Sequence, residues 1–373
     1  MSGIYIHIPF CKQVCYYCDF HFSVSLKLKS RLIENLNKEL IQRKDYLKDQ
    51  TVETIYFGGG SPSVLDIYEI RRLLNTIQDN YKVVSQPEIT FEANPDDLTR
   101  EYIHDLRQNE VNRLSIGIQS FEDVDLKLMN RRHTAREAES CIKLCKDAGF
   151  SNINIDLMYG IPGMSLETWE KNLKKAFSLG IQHLSAYHLM IEPQTVFGYY
   201  LRKKSLFPVD ENTSVEQYRI LLREALNHGY IHYEISNFAL EGYFSKHNCN
   251  YWNGTTYLGI GPSAHSFNGI SRQWNCANNS RYIEGMEKGF KISEKEILDE
   301  KAKFNDYMLT SLRTMWGADL DYIGKHFGQK TVDYCLKVAE KFGSRIVKTD
   351  NKLILTDEAK FISDGIICEF IEI

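Results

Sequence analysis

The sequence predicts an α/β fold: a partial or complete, TIM-like (β/α)6 barrel followed by a second region that ends in a small winged-helix-like unit. Three observations carry this expectation. Six short apolar segments alternate with helical patterns over the first two-thirds of the 373 residues, and strands alternating with helices imply a parallel sheet. The pattern changes after about Tyr230, where Gly, Asn and aromatic residues gather over 247–276. The tail then reads helix, strand, turn, strand, helix. We place the first region at residues 1–235 and the second at 236–373.

Taken in order, the expected strands are Tyr5–Ile8, Thr54–Phe57, Glu88–Ala93, Arg113–Ile118, Asn152–Met158 and His183–Met190. Thr134 to Glu137 reads as a capping box, which opens a helix by satisfying free backbone donors. Ser214 to Gln217 reads as a second box, opening a helix that runs to about His228. Gly180 sits where a helix begun near Leu166 should stop. The stretch 247–276 is expected to be loops and short strands, and Glu294–Met315 one long helix. Lys330–Phe342 is a further helix, Arg345–Lys348 and Lys352–Leu355 flank the turn Thr349-Asp350-Asn351, and Asp357–Ile367 is the last helix. In a barrel of this kind ligands sit at the C-terminal ends of the strands.

Basic and acidic residues number 45 and 49, a net charge of -4. That balance argues against a chain built to coat nucleic acid, and the tail mixes Asp333, Lys337, Glu340 and Lys341 as a solvated face does. A docking or lid role suits the tail better than DNA binding, and no nucleic acid partner is expected. The N-terminus lacks a basic stretch followed by a long apolar run, and no segment reaches the ~18 apolar residues of a spanning helix. A cytoplasmic location is expected. Nine cysteines, an odd number without a secretory signal, do not suggest a disulfide framework. Cys141 and Cys145 lie four apart on a helix face with Ala138 and Ala148, and read as core.

Cys11, Cys15 and Cys18 are different. They follow the pattern C-x3-C-x2-C, and thiolates are the usual ligands of iron–sulfur clusters. Three of them can hold three corners of a [4Fe–4S] cube and leave one iron open. Zinc in a structural site wants a fourth ligand, for which His7 and His21 are the nearest candidates. Spacing alone leaves a zinc knot or buried thiols open.

Other positions fall where strands end. Gly58-Gly59-Gly60-Ser61 follows a strand and precedes a helix, and glycines let backbone amides approach a ligand. A glycine run is also an ordinary tight turn. Gln119 and Asp156, at or near strand ends, carry hydrogen-bonding side chains, and Arg131 carries a bidentate fork. Each alone reads as a salt bridge or a satisfied strand-end residue.

The string from Tyr5-Ile6-His7-Ile8-Pro9-Phe10-Cys11 through Cys18-Asp19-Phe20 resembles the radical SAM superfamily. That resemblance implies a [4Fe–4S] cluster on Cys11, Cys15 and Cys18 whose open iron chelates S-adenosylmethionine (SAM). It also implies an electron donor for the cluster and one-electron cleavage of SAM to a 5'-deoxyadenosyl radical. Tyr5 and Tyr17 then join the cofactor-binding set, Tyr17 near the adenine. Gly59, Gly60 and Ser61 resemble the segment that takes the SAM amino group. Glu92 in Phe91-Glu92-Ala93-Asn94-Pro95, Gln119, Arg131 and Asp156 match, in order, the pattern of the HemN-like family. The resemblance covers nearly the whole chain, making the region after 235 a HemN-type C-terminal domain.

That family includes oxygen-independent coproporphyrinogen III dehydrogenases, which act in porphyrin biosynthesis, and a branch of haem chaperones, HemW. Dehydrogenases usually carry a further cysteine two residues after the third; here Asp19-Phe20 follows, as in the chaperones. The dehydrogenases also have an N-terminal extension before the first strand, which this chain is expected to lack. His247-Asn248-Cys249-Asn250-Tyr251-Trp252 resembles the chaperone signature H-N-x-x-Y-W. It implies a haem contact at His247, with Tyr251 and Trp252 alongside and Cys249 as a second candidate ligand; His265 is a weaker candidate near the SAM side. Without the resemblance the same residues read as a polar turn with a buried Trp. The expected function is a haem chaperone that carries cluster, SAM and haem and passes haem to an acceptor, a membrane-associated respiratory protein being one such class. The alternative is the radical SAM oxidative decarboxylation of coproporphyrinogen III, so whether the chain is an enzyme stays open at this point.

Overall fold

The computed structural model describes residues 1–48 and 50–371. Six parallel strands form its frame: β1 (Ser2–Ile8), β2 (Val52–Gly59), β3 (Val83–Ala93), β4 (Arg113–Gln119), β5 (Ile153–Tyr159) and β6 (His183–His188). β7 (Ile231–Glu234) and β8 (Asn237–Ala239) continue the sheet beyond β6, with β8 antiparallel to it. β9 (Thr256–Ile260) runs parallel to β1 on the other side, and β10 (His265–Phe267), β11 (Ser271–Asn275) and β12 (Ser293–Ile297) follow. The result is one open twelve-stranded arc, ordered linearly from β12 to β7.

Period-two alternation explains the frame. Ile4, Ile6, Ile55, Phe57, Ile89, Phe91, Leu114, Ile116, Ile155 and Leu157 are buried in the core shared with the helices. The residues between them form the inner face of the arc, and they are polar. Register sets Tyr5 beside Tyr56, Tyr56 beside Thr90 and Thr90 beside Arg113. A closed barrel packs its interior with branched apolar side chains; this one carries tyrosines, acids and an arginine instead.

A second buried cluster, from Phe304 to Phe370, belongs to the C-terminal unit. Helix Glu300–Ser311, strand Ala318–Asp319, helices Leu320–Phe327 and Gln329–Glu340, and a hairpin of Ile346–Thr349 with Lys352–Leu355 follow in winged-helix order. Asp350 and Asn351 take left-handed φ values of 46° and 58° at the hairpin turn, as such turns require. The unit meets the barrel where the Tyr218 hydroxyl donates to the Asp357 carbonyl at 2.8 Å and His232 Nδ1 lies 3.0 Å from the Asp357 carboxylate. Among the described residues no helix is long and apolar enough to cross a membrane.

The Thr134 capping box is present, with Glu137 reaching back to the Thr134 amide at 2.7 Å, and Gly180 follows the helix Leu166–Ser178. Four expectations need correction. The helix expected at Ser214 begins at Glu211, capped by Asp210, because Ser214 is buried with its hydroxyl 3.0 Å from His188 Nε2. Glu294–Met315 is two elements: β12 is held by pairing with β11, and Asp299 caps the helix that follows. The residues from Lys246 to Trp252 form a helix capped by Ser245, rather than a loop or strand. The last helix is broken between Lys360 and Ser363.

Candidate functional site

The C-terminal ends of the strands open onto a cavity of about 430 Å³. Cys11, Cys15, Cys18, Tyr17, Gly59, Gly60, Ser61, Glu92, Gln119, Arg131 and Asp156 all line it. Thus eleven residues singled out on six separate stretches of sequence converge on one space.

The cysteine loop leaves β1 at Phe10, which is fully buried. Cys11 donates its amide to Ser23 at 3.0 Å, and the Phe10 carbonyl accepts the Ser61 amide at 2.8 Å. Across the cavity Asn130 Nδ2 donates to the Val14 carbonyl and Gln13 Nε2 to the Asn130 carbonyl, each at 2.7 Å. The glycine segment must be small. A Cβ on Gly60 would lie 2.8 Å from the Phe10 carbonyl and 3.0 Å from Cys11 Sγ. Gly59 has φ +115°, and a Cβ there would lie 2.8 Å from the His7 ring.

The donor set fits a metal cluster. Burial pushes the Cys11 thiol up to about 12, and Cys18 and Cys15 add to the shift; burial likewise pushes Cys18 up to about 11. Thiols that resist ionisation alone give up their protons to a metal, since thiolate is the form that binds. No three His, Cys, Asp or Glu side chains among the described residues converge closely enough to share one ion; a cluster with each thiolate on a different iron does not need them to.

Unsatisfied polar atoms support a second ligand beside the thiols. Arg131 donates through Nη2 to Asn94 Oδ1 at 2.7 Å and to the Gly117 carbonyl at 2.6 Å, and through Nη1 to Cys15 Sγ at 3.3 Å. Its Nε is buried without a partner, as is Oε1 of Gln119. Gln119 also holds a left-handed φ of 68°, a conformation that costs a non-glycine residue about 1–3 kcal/mol and clusters at functional sites. Glu92 accepts from the Tyr56 hydroxyl at 2.7 Å and the Gly59 amide at 3.2 Å. Burial pushes its carboxyl up to about 7, the Tyr56 bond opposing and the Asp156 charge adding. Asp156, raised mainly by burial, accepts from Asn154 Nδ2 at 2.8 Å.

Other expected residues stand elsewhere. Tyr5 lies beneath the cavity, its hydroxyl 3.0 Å from His7 Nδ1. His247, Tyr251 and Trp252 lie at the opposite end of the barrel. His247 is 1% exposed, with Nδ1 2.8 Å from Thr54 Oγ1 and Nε2 2.9 Å from the Tyr251 hydroxyl. Burial and the Arg113 charge push its imidazole down to about 3. Glu88 receives the amides of Lys246 and His247 at 3.2 and 3.1 Å. Trp252 Nε1 is buried without a partner, Cys249 is half-buried, and His265 is exposed beside Trp274.

Sequence reasoning missed Asn94, which bridges Ser61 Oγ at 2.7 Å and Arg131, and Arg113. Arg113 is 1% exposed inside the barrel, with Nε and Nη2 unpartnered. A charge at an inward position of an apolar strand was the available signal.

Residues 5–176 match the family described as the Radical SAM superfamily. The heme chaperone HemW of Bacillus subtilis (strain 168) is 32% identical over 376 residues, covering 100% of this chain and 99% of that protein. HemW of Lactococcus lactis subsp. lactis (strain IL1403) is 32% identical, covering 99% and 97%, and HemW of Escherichia coli (strain K12) 39% identical, covering 70% and 69%. Among solved structures the fold is similar to coproporphyrinogen III oxidase (HemN) from Escherichia coli, a radical SAM enzyme. The TM-score is 0.86 at 21% identity, covering 99% of this chain and 90% of that one. With this full-length similarity added to the match over residues 5–176, the chain belongs to the radical SAM superfamily and, within it, to the HemW family.

Proposed function

We propose that this chain is a haem chaperone that carries a SAM-ligated [4Fe–4S] cluster, binds haem and passes it to an acceptor protein. The observation that carries the reading is end-to-end similarity to proteins named heme chaperone HemW. Cys11, Cys15 and Cys18 would hold the cluster. When bound, such a cluster supplies single electrons to SAM, and an electron donor is needed to refill it. Gly59, Gly60, Ser61 and Glu92 would hold the amino end of SAM, Arg131 its carboxylate, Gln119 and Asp156 its ribose, and Tyr17 its adenine.

The haem contact is assigned to the His247 motif, with Tyr251 and Trp252 beside it. Both ring nitrogens of His247 are engaged and the ring is buried. Imidazole is a natural haem ligand, but here it reaches iron only if the helix Lys246–Trp252 withdraws from the barrel floor. The C-terminal unit, mixed in charge and docked on the barrel through Asp357, suits a lid or a docking surface for the acceptor. We place the working location in the cytoplasm and divide the chain near residue 235 into a radical SAM core and a C-terminal domain.

The test is anaerobic purification, cluster reconstitution and titration of haem into wild type and His247→Ala, with an assay of coproporphyrinogen III decarboxylation. Stoichiometric haem binding by wild type, weakened by the substitution, without decarboxylation is the expected result. Decarboxylation in step with 5'-deoxyadenosine, and haem binding weak and indifferent to His247, would make the chain an oxidative decarboxylase instead.

A further inference from the structure

Glu92 and His247 stand on two sides of one ring. The Tyr56 hydroxyl donates to Glu92 Oε1 at 2.7 Å, and the Tyr56 ring lies 5.0 Å, centroid to centroid, from that of His247. Tyr5 flanks both, 6.0 Å from Tyr56 and 6.3 Å from His247. Glu92 lines the cavity, whereas His247 sits at the barrel floor against Thr54. Tyr56 itself is buried and has no place in the cavity lining. With Tyr5 beside it, Tyr56 joins the two ends of the barrel interior, and of the two it is the one that donates a hydrogen bond to Glu92.

We propose that Tyr56 is a positioning residue that couples occupancy of the cavity by SAM to retention of the helix Lys246–Trp252 on the barrel floor. The proposal rests on the reading above, in which Glu92 faces SAM and His247 faces haem. It adds the link between them.

The coupling is local. An ammonium against Glu92 keeps that carboxylate ionised, and an ionised acceptor holds a hydroxyl about twice as strongly as a neutral one. The Tyr56 ring is then fixed over His247. Without the ammonium, Glu92, which burial pushes up to about 7, is partly protonated near neutrality and the contact weakens. The helix is short, Lys246–Trp252. It is held through its first turn by Glu88, through His247 by Thr54, and by the tyrosine rings. Loosening one of these lowers the cost of its departure. By linkage, whatever SAM does to release of the helix, release does equally to SAM affinity. SAM therefore guards the His247 end, and its departure opens it.

The experiment is hydrogen–deuterium exchange, read by mass spectrometry on the full chain with its cluster reconstituted anaerobically. Saturating SAM is added or withheld, in wild type, Tyr56→Phe and Thr54→Val. In wild type SAM should slow exchange of the 246–252 amides by about five-fold or more. In Tyr56→Phe that slowing should vanish while the cysteine-loop peptides stay protected by SAM. Thr54→Val, which touches His247 and not Glu92, should speed exchange of the helix yet keep the SAM effect. Equal slowing in wild type and Tyr56→Phe, no slowing in wild type, or loss of the effect in Thr54→Val as well would each overturn the link. Haem titration of the same samples separates the two readings. Absent haem binding sinks the chaperone proposal and leaves the exchange result standing, whereas intact haem binding with an unaltered exchange pattern sinks the link alone.

Discussion

Nη1 of Arg131 lies 3.3 Å from Sγ of Cys15, while Nη2 of the same guanidinium donates to Asn94 Oδ1 at 2.7 Å. One fork thus spans the cysteine loop and the end of β3, and leaves its Nε turned toward no protein partner. Lysine cannot reproduce this, since an ammonium is a point charge without a planar fork. Arg131→Lys should retain its iron and bind SAM about ten-fold more weakly, a loss of about 1.4 kcal/mol. Equilibrium dialysis beside an iron assay reads both, and unchanged SAM affinity would remove Arg131 from the site.

Gly60 tests how tightly the loop is built. A Cβ there meets backbone at Phe10 and sulfur at Cys11, neither of which is the free end of a flexible chain. Gly60→Ala should lower cluster occupancy while circular dichroism stays that of the wild type, with overpacking of about 1–3 kcal/mol. Full iron loading with normal SAM binding would contradict the close approach.

Glu92 gives a pH signature. Its folded value, about 7, lies above its ordinary 4.5 because burial disfavours the charge. Between these values the folded state binds more protons than the unfolded one, so stability falls as pH rises through that window. Glu92→Gln removes the slope. In denaturant titrations of cluster-free protein the variant should gain on wild type by roughly 3 kcal/mol between pH 4 and pH 8. A pH-independent difference would mean that the carboxyl is not held neutral.

His247 has the opposite sense. Burial lowers its imidazole from 6.5 to about 3, so the unfolded chain takes up the proton first and this contribution is lost as pH falls from 6.5 toward 3. His247→Ala should therefore flatten part of the acid limb of the stability curve. At pH 7.5 it should cost about 2–4 kcal/mol, through the cavity and the stranded hydroxyls of Thr54 and Tyr251. A neutral effect on stability would show that the motif does not hold the barrel floor.

The six strands were legible because short apolar segments alternate with helical patterns, and the cysteine, glycine and acid motifs because, taken in order, they resemble the pattern of a known family. Ser214 misled because Thr, Ser and Asp near a helix start all carry capping oxygens. Only packing decides that Asp210 caps and Ser214 turns inward to His188. β12 looked helical because its pairing partner, β11, lies some twenty residues away.

The sequence by itself determined the α/β frame, the cysteine triplet, the ends of the strands that would carry the site, and the family to which these belong. The frame, the triplet and the strand ends are written in spacings that survive without coordinates, and the family in the resemblance of whole motifs from Tyr5 to Trp252. Tertiary structure alone decided that Arg131 bonds Asn94 and Cys15, that Arg113 is buried inside the barrel, and that His247 faces Thr54 and Tyr251 away from the cavity. Those relations join residues up to 193 positions apart. They depend on strand register and on which face of a short helix meets the barrel, both set by burial across the whole fold.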